Sequence, residues 1–449
     1  MAGEWTQIRL GDVCLKIGSG ATPRGGSKVY LEQGPFALIR SQNVYNDGFH
    51  RDGLAYISEK QAAELDVVEV LQNDVLLNIT GDSVARACQV DPGVLPARVN
   101  QHVAIVRPDP EKLDPRFLRY SLVSSEMQAK LLSWAGAGGT RNALTKAMIE
   151  SLEVLAPDIG EQRAIAHILG TLDDKIELNR RMSETLEAMA RALFKAWFVD
   201  FEPVRAKKEG RWQRGQSLPG LPAHLYDLFP NRLVNSELGE IPEGWEVKAI
   251  GDLAEVVGGS TPKTEHTEYW AGGTHHWVTP KDLSGLSMPV LLDTERKITG
   301  AGLTQISSGL LPKGTVLLSS RAPIGYLAIA EVPVAVNQGF IAMKPRPGTS
   351  NLFLLRWASS AHDEIVSHAN GSTFLEISKS NFRRIRIVAP SVPVMDAFDR
   401  VTRPMYLKVV EHERESRTLA ALRDALLPEL IRGEIRVKDA ERFLKERGL

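Results

Sequence analysis

The chain repeats one set of short motifs roughly 240 residues apart, a spacing far longer than the roughly 20–50 residues of solenoid repeats. Order and phase are kept throughout. The first copy reads Trp5, Leu10-Gly11-Asp12-Val13, Gly18-Ser19-Gly20-Ala21-Thr22-Pro23 and Val99-Asn100-Gln101, and the second reads Trp245, Ile250-Gly251-Asp252-Leu253, Gly258-Gly259-Ser260-Thr261-Pro262 and Val336-Asn337-Gln338. The copies share these landmarks and differ between them. One scaffold that presents two different recognition surfaces would have this pattern.

Length and composition limit the class of protein. A chain of 449 residues is expected to form roughly two to four domains. No apolar run approaches the roughly 20 residues that span a bilayer, and the N-terminus has no signal-peptide pattern. We therefore expect a cytoplasmic protein with no membrane contact. The two cysteines, Cys14 and Cys88, are too few for a disulfide framework or a zinc site.

Each copy is predicted to be an α+β domain. In residues 1–157, short apolar runs such as Val75-Leu76-Leu77 and Val103-Ala104-Ile105-Val106 alternate with Gly, Pro and Asn-Asp turns, which is typical of strands. A helical pattern covers Pro115 to Trp134. Residues 241–390 repeat the arrangement, so we predict two tandem domains related by a pseudo-twofold axis.

A long helix is predicted to follow each domain. Apolar residues recur at three- and four-residue spacing from Ile165 to Trp197, and again from Phe398 to Leu430. A helix over about 161–198 would be roughly 55 Å long, and its single apolar seam needs a partner helix. We predict that the first spacer helix, in 158–200, pairs antiparallel with a second one in 391–449, a stretch that also contains the C-terminal tail, and that this two-helix coiled coil separates the two domains.

The stretch 201–240 between the first helix and the second domain is rich in Pro, Gly and charge. A solvated linker with some fixed turns is the favoured interpretation, because charged linker runs are usually solvated. The alternative is a basic segment on the DNA backbone, which uses residues such as Arg205, Lys207 and Arg211.

Several stretches resemble the motifs of enzymes but lack the spacing or the residues that those motifs require. The stretch from Gly20 to Lys28 resembles a phosphate loop, but an extra Gly displaces the Lys and the Ser-Lys order is inverted. His266, His275 and His276 lack the spacing of a zinc hydrolase. Asp158 and Glu161, near a predicted helix start, are interpreted as capping residues rather than as a nuclease pair. We therefore expect no cofactor and no metal on this chain.

Binding chemistry remains in the loops. Candidate DNA-binding residues are the basic, amide and imidazole side chains that follow the repeated motifs, since such groups contact phosphates or base edges. A buried, turn-locking role for the repeated Asn-Gln is the competing and favoured interpretation. The candidates are Arg24, Lys28, Arg86, Asn100, Arg141 and Lys146 in the first copy, and Lys263, His275, His276, Lys281, Arg321, Lys379 and Arg383 in the second.

The chain resembles the specificity subunit of type I restriction-modification enzymes along nearly its full length. Besides the paired openings, the resemblance rests on Pro157 leading into Glu161-Gln162-Arg163-Ala164-Ile165, on Leu193-Phe194-Lys195-Ala196-Trp197-Phe198-Val199-Asp200-Phe201-Glu202-Pro203-Val204 and on Ser236-Glu237-Leu238-Gly239-Glu240-Ile241-Pro242-Glu243-Gly244-Trp245. One departure is that Ser391-Val392-Pro393-Val394 lacks the Glu-Gln that opens the first long helix.

The resemblance implies a non-catalytic subunit with two target-recognition domains, each of which binds half of a split, asymmetric site in double-stranded DNA. It also implies docking of two methyltransferase subunits, which bring S-adenosylmethionine, and of ATP-dependent restriction-translocase subunits that use Mg. The net charge of −1, from 54 basic and 55 acidic residues, keeps an alternative open, because nucleic-acid binders usually carry a basic excess. That alternative is a non-catalytic adaptor with two β-rich protein-binding modules.

Overall fold

The chain forms two compact units in a computed structural model that describes residues 5–136, 142–371 and 375–445. The first unit comprises Met1–Ile176 with Thr418–Leu449, and the second comprises Glu177–Arg417. Each unit therefore contains one copy of the repeated sequence. The division between units falls inside the long helices, so the domain boundaries expected from the sequence stay predictions.

The first unit is built on two sheets and a strand pair. A four-stranded antiparallel sheet has the order β2-β9-β6-β7, a mixed sheet has the order β4-β3-β8-β5, and β1 pairs with β10. The strands are β1 (Thr6–Arg9), β2 (Cys14–Ser19), β3 (Phe36–Ile39), β4 (Ala55–Ile57), β5 (Glu69–Val70), β6 (Val75–Asn78), β7 (Ala87–Gln89), β8 (Ala97–Val99), β9 (Val103–Pro108) and β10 (Glu153–Ala156).

The central strands are apolar on both faces because they separate two cores. Val75 and Leu77 of β6 pack into the core that contains the helices. Leu76, between them, points to the opposite face and packs against the mixed sheet. Successive side chains of a strand alternate between faces, so an uninterrupted apolar run is what this position requires.

In the described residues, the shorter α-helices of the first domain are α1 (Leu10–Val13), α2 (Glu59–Glu64), α3 (Pro115–Val123), α4 (Ser125–Gly136) and α5 (Lys146–Glu150). The predicted helix from Pro115 to Trp134 is thus two helices, broken where Ser124 is extended. At the start of α3, the Asp114 carboxylate accepts a hydrogen bond from Phe117 N at 2.9 Å, and Pro115 occupies the first helical position, where no N–H is needed.

The first long helix, α6 (Ile159–Phe194), continues into a π-helical turn, Lys195–Val199. Asp158 caps it, because its carboxylate accepts from Gly160 N at 2.9 Å and from Glu161 N at 3.1 Å. The capping interpretation of Asp158 is confirmed. Gln162 fixes the helix to the domain, since its side chain accepts from Asp114 N and donates to Pro157 O, both at 2.9 Å.

The stretch 201–240 is folded, so the interpretation as a solvated linker is wrong. It contains α7 (Glu202–Lys208) and a hairpin of β11 (Leu233–Ser236) and β12 (Gly239–Pro242). Trp212 is only 1% exposed, and Leu225 and Phe229 pack into the same core. Arg211 pairs with Glu202 and Glu209, each at 2.6 Å. Burial of its aromatic side chains holds this segment against the second domain.

The second domain repeats the first. A five-stranded sheet has the order β14-β21-β18-β19-β16, a three-stranded sheet has the order β17-β15-β20, and β13 pairs with β22. The strands are β13 (Glu246–Ala249), β14 (Ala254–Val257), β15 (His275–Val278), β16 (Val290–Leu291), β17 (Arg296–Ile298), β18 (Val316–Ser320), β19 (Ile324–Ala330), β20 (Val334–Val336), β21 (Phe340–Pro345) and β22 (Arg386–Ala389); the helices are α8 (Ile250–Leu253), α9 (Pro280–Ser284), α10 (Gly300–Leu303), α11 (Asn351–Ser360), α12 (His362–Ser367) and α13 (Lys379–Arg384).

The two domains also share the relative directions of their paired strands. In the first copy β3 pairs antiparallel with β4 and parallel with β8. In the second, β15 pairs antiparallel with β17 and parallel with β20. The predicted α+β class and the duplication of the domain are confirmed.

The second long helix, α14 (Val392–Ile431), precedes a short helix, α15 (Val437–Lys445). It starts without the Glu-Gln of the first. Ser391 O instead accepts from Val394 N and Met395 N, each at 3.0 Å. Met395 is buried at the position that corresponds to Gln162, so an apolar contact replaces the hydrogen bonds found in the first copy.

The two long helices pair antiparallel. In the second unit, Asn179 Nδ2 donates to Glu415 Oε2 at 2.7 Å. Phe194 lies further along α6 and Phe398 lies earlier in α14, and the centroids of their rings are 6.0 Å apart. In the first unit, Arg423 forms an ion pair with Asp173 at 2.7 Å. Partner numbers fall along α14 as they rise along α6, which confirms the predicted antiparallel helix pair.

Candidate nucleic-acid interface

The repeated Gly-Thr-Pro loop is closed tightly on the end of a strand in both copies. A β-carbon built on Gly20 would lie 2.0 Å from Val99 O, and one on Gly259 would lie 1.6 Å from Val336 O. Ser260 N donates to the same Val336 oxygen at 3.1 Å. These glycines are therefore needed because two backbone segments meet.

The repeated Asn-Gln completes the same structure. Asn100 Oδ1 accepts from His102 N at 3.1 Å, and Asn337 Oδ1 accepts from Gly339 N at 2.8 Å. The Thr261 hydroxyl donates to Gln338 Oε1 at 2.6 Å, and Thr22 makes the equivalent bond to Gln101. Asn100 is 6% exposed. These contacts support the turn-locking interpretation, and the burial of Asn100 argues against it as a base-reading residue.

Of the other candidates in the first copy, Arg24, Lys28 and Lys146 are exposed and Arg86 is half-buried. Arg24 and Lys28 are exposed, directly after the closed loop. Arg86 lies over the Tyr45 ring, 4.6 Å from its centroid, and Tyr45 stacks on His50. Lys146 begins α5 and pairs with Glu150 at 3.5 Å. Arg141 lies outside the described residues.

The second copy places several candidates around β15. Lys263 is exposed directly after the closed loop (Gly258–Pro262), and its carbonyl accepts from Trp270 Nε1 at 3.1 Å. His275 and His276 are successive residues of β15 and so face opposite sides of the sheet. His276 lies 3.1 Å from Asp293, and partial burial lowers its pKa. Lys281, on α9, pairs with Glu295 at 2.8 Å.

Three further candidates lie around α13. Lys379 packs against Gly258, where its Nζ stands 2.5 Å from the position of a β-carbon. Arg383 donates to Val256 O at 2.6 Å, so it anchors α13 to β14. Arg321 lies 3.7 Å from Glu376. The structure thus brings Lys379 to the closed loop and gives Arg383 a structural contact.

Sequence reasoning missed two side chains near β15. The Arg296 guanidinium lies 3.7 Å from the centroid of the Trp270 ring, and Lys297 lies 3.5 Å from Asp293. Both basic residues belong to β17, the antiparallel neighbour of β15. A short basic strand beside the two histidines is the signal that could have found them.

In residues 5–136, 142–371 and 375–445, no group of three or more His, Cys, Asp or Glu side chains could hold a metal ion. Burial raises the pKa of the Cys88 thiol to about 12, so it stays protonated near neutral pH. None of the described helices has the length and hydropathy needed to cross a membrane.

The family model described as the type I restriction modification DNA specificity domain matches residues 2–188 and 242–397, which is more than half of the chain. The chain belongs to this family. It is therefore a type I DNA specificity subunit and, like the family as a whole, is not itself an enzyme.

Known specificity subunits are similar in sequence to this chain, some over nearly its full length and others over about a third of it. The type I restriction enzyme HindI specificity subunit of Haemophilus influenzae is 25% identical over 471 residues, which cover 96% of this chain and 100% of that protein. The MjaIX specificity subunit of Methanocaldococcus jannaschii is 42% identical over 158 residues, 35% of this chain and 36% of that protein.

A solved structure supports the fold. The S subunit of a type I restriction-modification system from M. genitalium superposes with a TM-score of 0.59 at 15% identity, and covers 95% of this chain and 96% of that one. At this identity the likeness concerns the fold alone.

Proposed function

We propose that this specificity subunit binds a bipartite, asymmetric site in double-stranded DNA, with one half-site bound by each recognition domain. The observation that carries the proposal is the closed loop, which is the same in both domains and is followed by different side chains. Arg24 and Lys28 follow it in one domain, and Lys263, Trp270 and His275 follow it in the other. A loop that is shared by both domains, followed by side chains that differ, is what we expect of two domains that bind different DNA sequences.

The charge distribution is compatible with DNA binding despite the net charge of −1. Many acidic side chains are already paired, as in Glu177 with Arg180 and Arg181 on α6 and Asp74 with Arg107 in the first domain. Arg24, Lys28 and Lys263, by contrast, are exposed beside the closed loops. Local positive groups, rather than the overall charge, decide whether a surface attracts phosphates.

The partners belong to the same proposal. Each domain with its long helix would dock one methyltransferase subunit, which supplies S-adenosylmethionine and the methyl transfer. ATP-dependent restriction-translocase subunits that use Mg would join this complex, in the cytoplasm. All chemistry would then take place on partners, and this chain would select the sequence.

A salt titration of DNA binding tests the proposal against the adaptor alternative. Binding of the full chain, together with its modification subunit, to a DNA library is measured at several salt concentrations. Each phosphate contact in B-DNA contributes about −0.9 to the slope of log K against log salt. A slope of about −3 or steeper is expected, and a slope near zero would favour a protein-binding adaptor.

Exchange of one domain tests the independence of the readers. Replacing residues 1–157 with those of another specificity subunit should change one half of the target and leave the other half as it was. A change in both halves would contradict two independent half-sites. Replacing 241–390 is the matched control and should change the opposite half.

A further inference from the structure

Arg296 is an exposed arginine held on an aromatic platform in the second domain. Its guanidinium lies 3.7 Å from the centroid of the Trp270 ring and 5.4 Å from that of Trp277. The two indole rings are themselves packed edge to face, with centroids 5.0 Å apart. Cation–π attraction therefore holds the flat face of the guanidinium against Trp270.

The platform is rigid because both indole N–H groups donate hydrogen bonds to the backbone of the closed loop or of the residue directly after it. Trp270 Nε1 donates to Lys263 O at 3.1 Å, and Trp277 Nε1 donates to Ser260 O at 3.2 Å. Trp277 is also buried. The orientation of Arg296 is thus tied, through two tryptophans, to the framework that the domains share. A side chain ordered before binding loses less conformational entropy on binding.

The neighbouring acids are paired with other groups. Asp293 is within 3.1 Å of His276 and 3.5 Å of Lys297. Glu295 pairs with Lys281 at 2.8 Å. In the part of the chain that the structure describes, no hydrogen bond or ion pair uses the guanidinium of Arg296. Its N–H donors are therefore open to a ligand.

We propose that Arg296 is a specificity-determining residue that reads a guanine in the half-site bound by the second domain, an inference that rests on the proposed function. Guanine presents two acceptors, O6 and N7, side by side in the major groove, and a planar guanidinium matches both. Stacking on Trp270 occupies the face of the guanidinium and leaves its edge donors free.

A DNA phosphate also accepts paired hydrogen bonds from arginine. A guanine and a phosphate differ in whether they would still bind if a lysine replaced Arg296. Lysine keeps the charge that a phosphate needs, but it lacks the planar pair of donors held on the ring. Arg296→Lys therefore distinguishes a base contact from a backbone contact.

The test compares the wild-type chain, Arg296→Lys and Arg296→Ala, each with the modification subunit, by selection of bound sequences from a randomised DNA library. We expect one guanine position in one half-site to become degenerate in both variants, with discrimination at that position reduced about tenfold to hundredfold. The other half-site stays unchanged. For Arg296→Lys, the salt dependence stays that of the wild type.

Arg214→Ala is the matched control, because Arg214 is exposed, pairs with Asp227 at 2.5 Å and stacks on no aromatic ring in the described residues. It should leave the selected sequence unaltered. An unaltered sequence in Arg296→Ala, or a uniform loss of affinity that Arg296→Lys restores, would overturn the guanine contact. A wild-type chain that selects no sequence would instead overturn the proposed function.

Discussion

Gly259 lies against the carbonyl of Val336 so closely that a β-carbon on it would stand 1.6 Å from that oxygen. Gly20 has the same relationship to Val99 in the other domain. The contact joins the loop after β14 to the end of β20. Trp270 and Trp277, which pack against Arg296, donate hydrogen bonds to the backbone of this segment. A small residue in the repeated motif thus positions side chains that differ between the copies.

Gly259→Ala should destabilise the second domain, because the obstructing atom belongs to the backbone and cannot rotate away. Overpacking of this kind costs about 1–3 kcal/mol, occasionally more. Urea unfolding followed by tryptophan fluorescence measures the change. Gly285→Ala is the control, since a β-carbon there meets nothing within 4 Å. Equal midpoints for the two variants would show that the loop is not held as described.

The stability of the second domain should depend on His276 at mildly acidic pH. Partial burial lowers the pKa of His276 below its ordinary 6.5, although Asp293 acts in the opposite direction. The unfolded chain then binds a proton near pH 6.5 that the folded chain binds only at lower pH. The contribution of His276 to the free energy of unfolding is therefore fully present above pH 6.5 and is lost as the pH falls below it.

Urea unfolding at pH 7.5, 6.5 and 5.5 checks this dependence. His276→Gln should unfold with a weaker pH dependence than the wild type over this range, because it removes one of the groups that titrate there. The same dependence in both proteins would contradict the assignment to His276.

The length of the helix pair should set the gap between the half-sites. Removing seven residues from each of the facing segments of α6 and α14 keeps the apolar seam in register and shortens each helix by about 10 Å. This corresponds to about three base pairs of B-DNA. The recognised gap should shrink while both half-sites keep their sequences. An unchanged gap in the selected DNA would show that the helix pair does not set the spacing between the half-sites.

The duplication and the two long helices could be predicted because they rest on local signals. Repeated motifs mark the framework, and the apolar spacing from Ile165 to Trp197 fits only a helix with a partner. The Asn-Gln motif could be interpreted correctly for a similar reason, since Asn100 locks a turn through its own neighbours.

The rest depends on contacts between distant segments. The stretch 201–240 has the composition of a linker, yet Trp212 and Phe229 are buried because the second domain provides a surface for them. Arg296 lies on β17, and its pairing with β15 places it opposite Trp277 and so beside Trp270, which packs on Trp277. The basic residues of β17 are visible in the sequence, but no periodicity or motif indicates that one of them contacts a tryptophan.

The most direct measurement is the methylome of a host without restriction-modification systems that expresses this chain with its modification subunit. Sequencing of native DNA would detect N6-methyladenine, the modification that the proposed partner would make. We expect a new motif of two defined halves separated by a fixed gap, which disappears when this chain is omitted. A stable complex of the two proteins that produces no methylated motif, or a motif that persists without this chain, would contradict it.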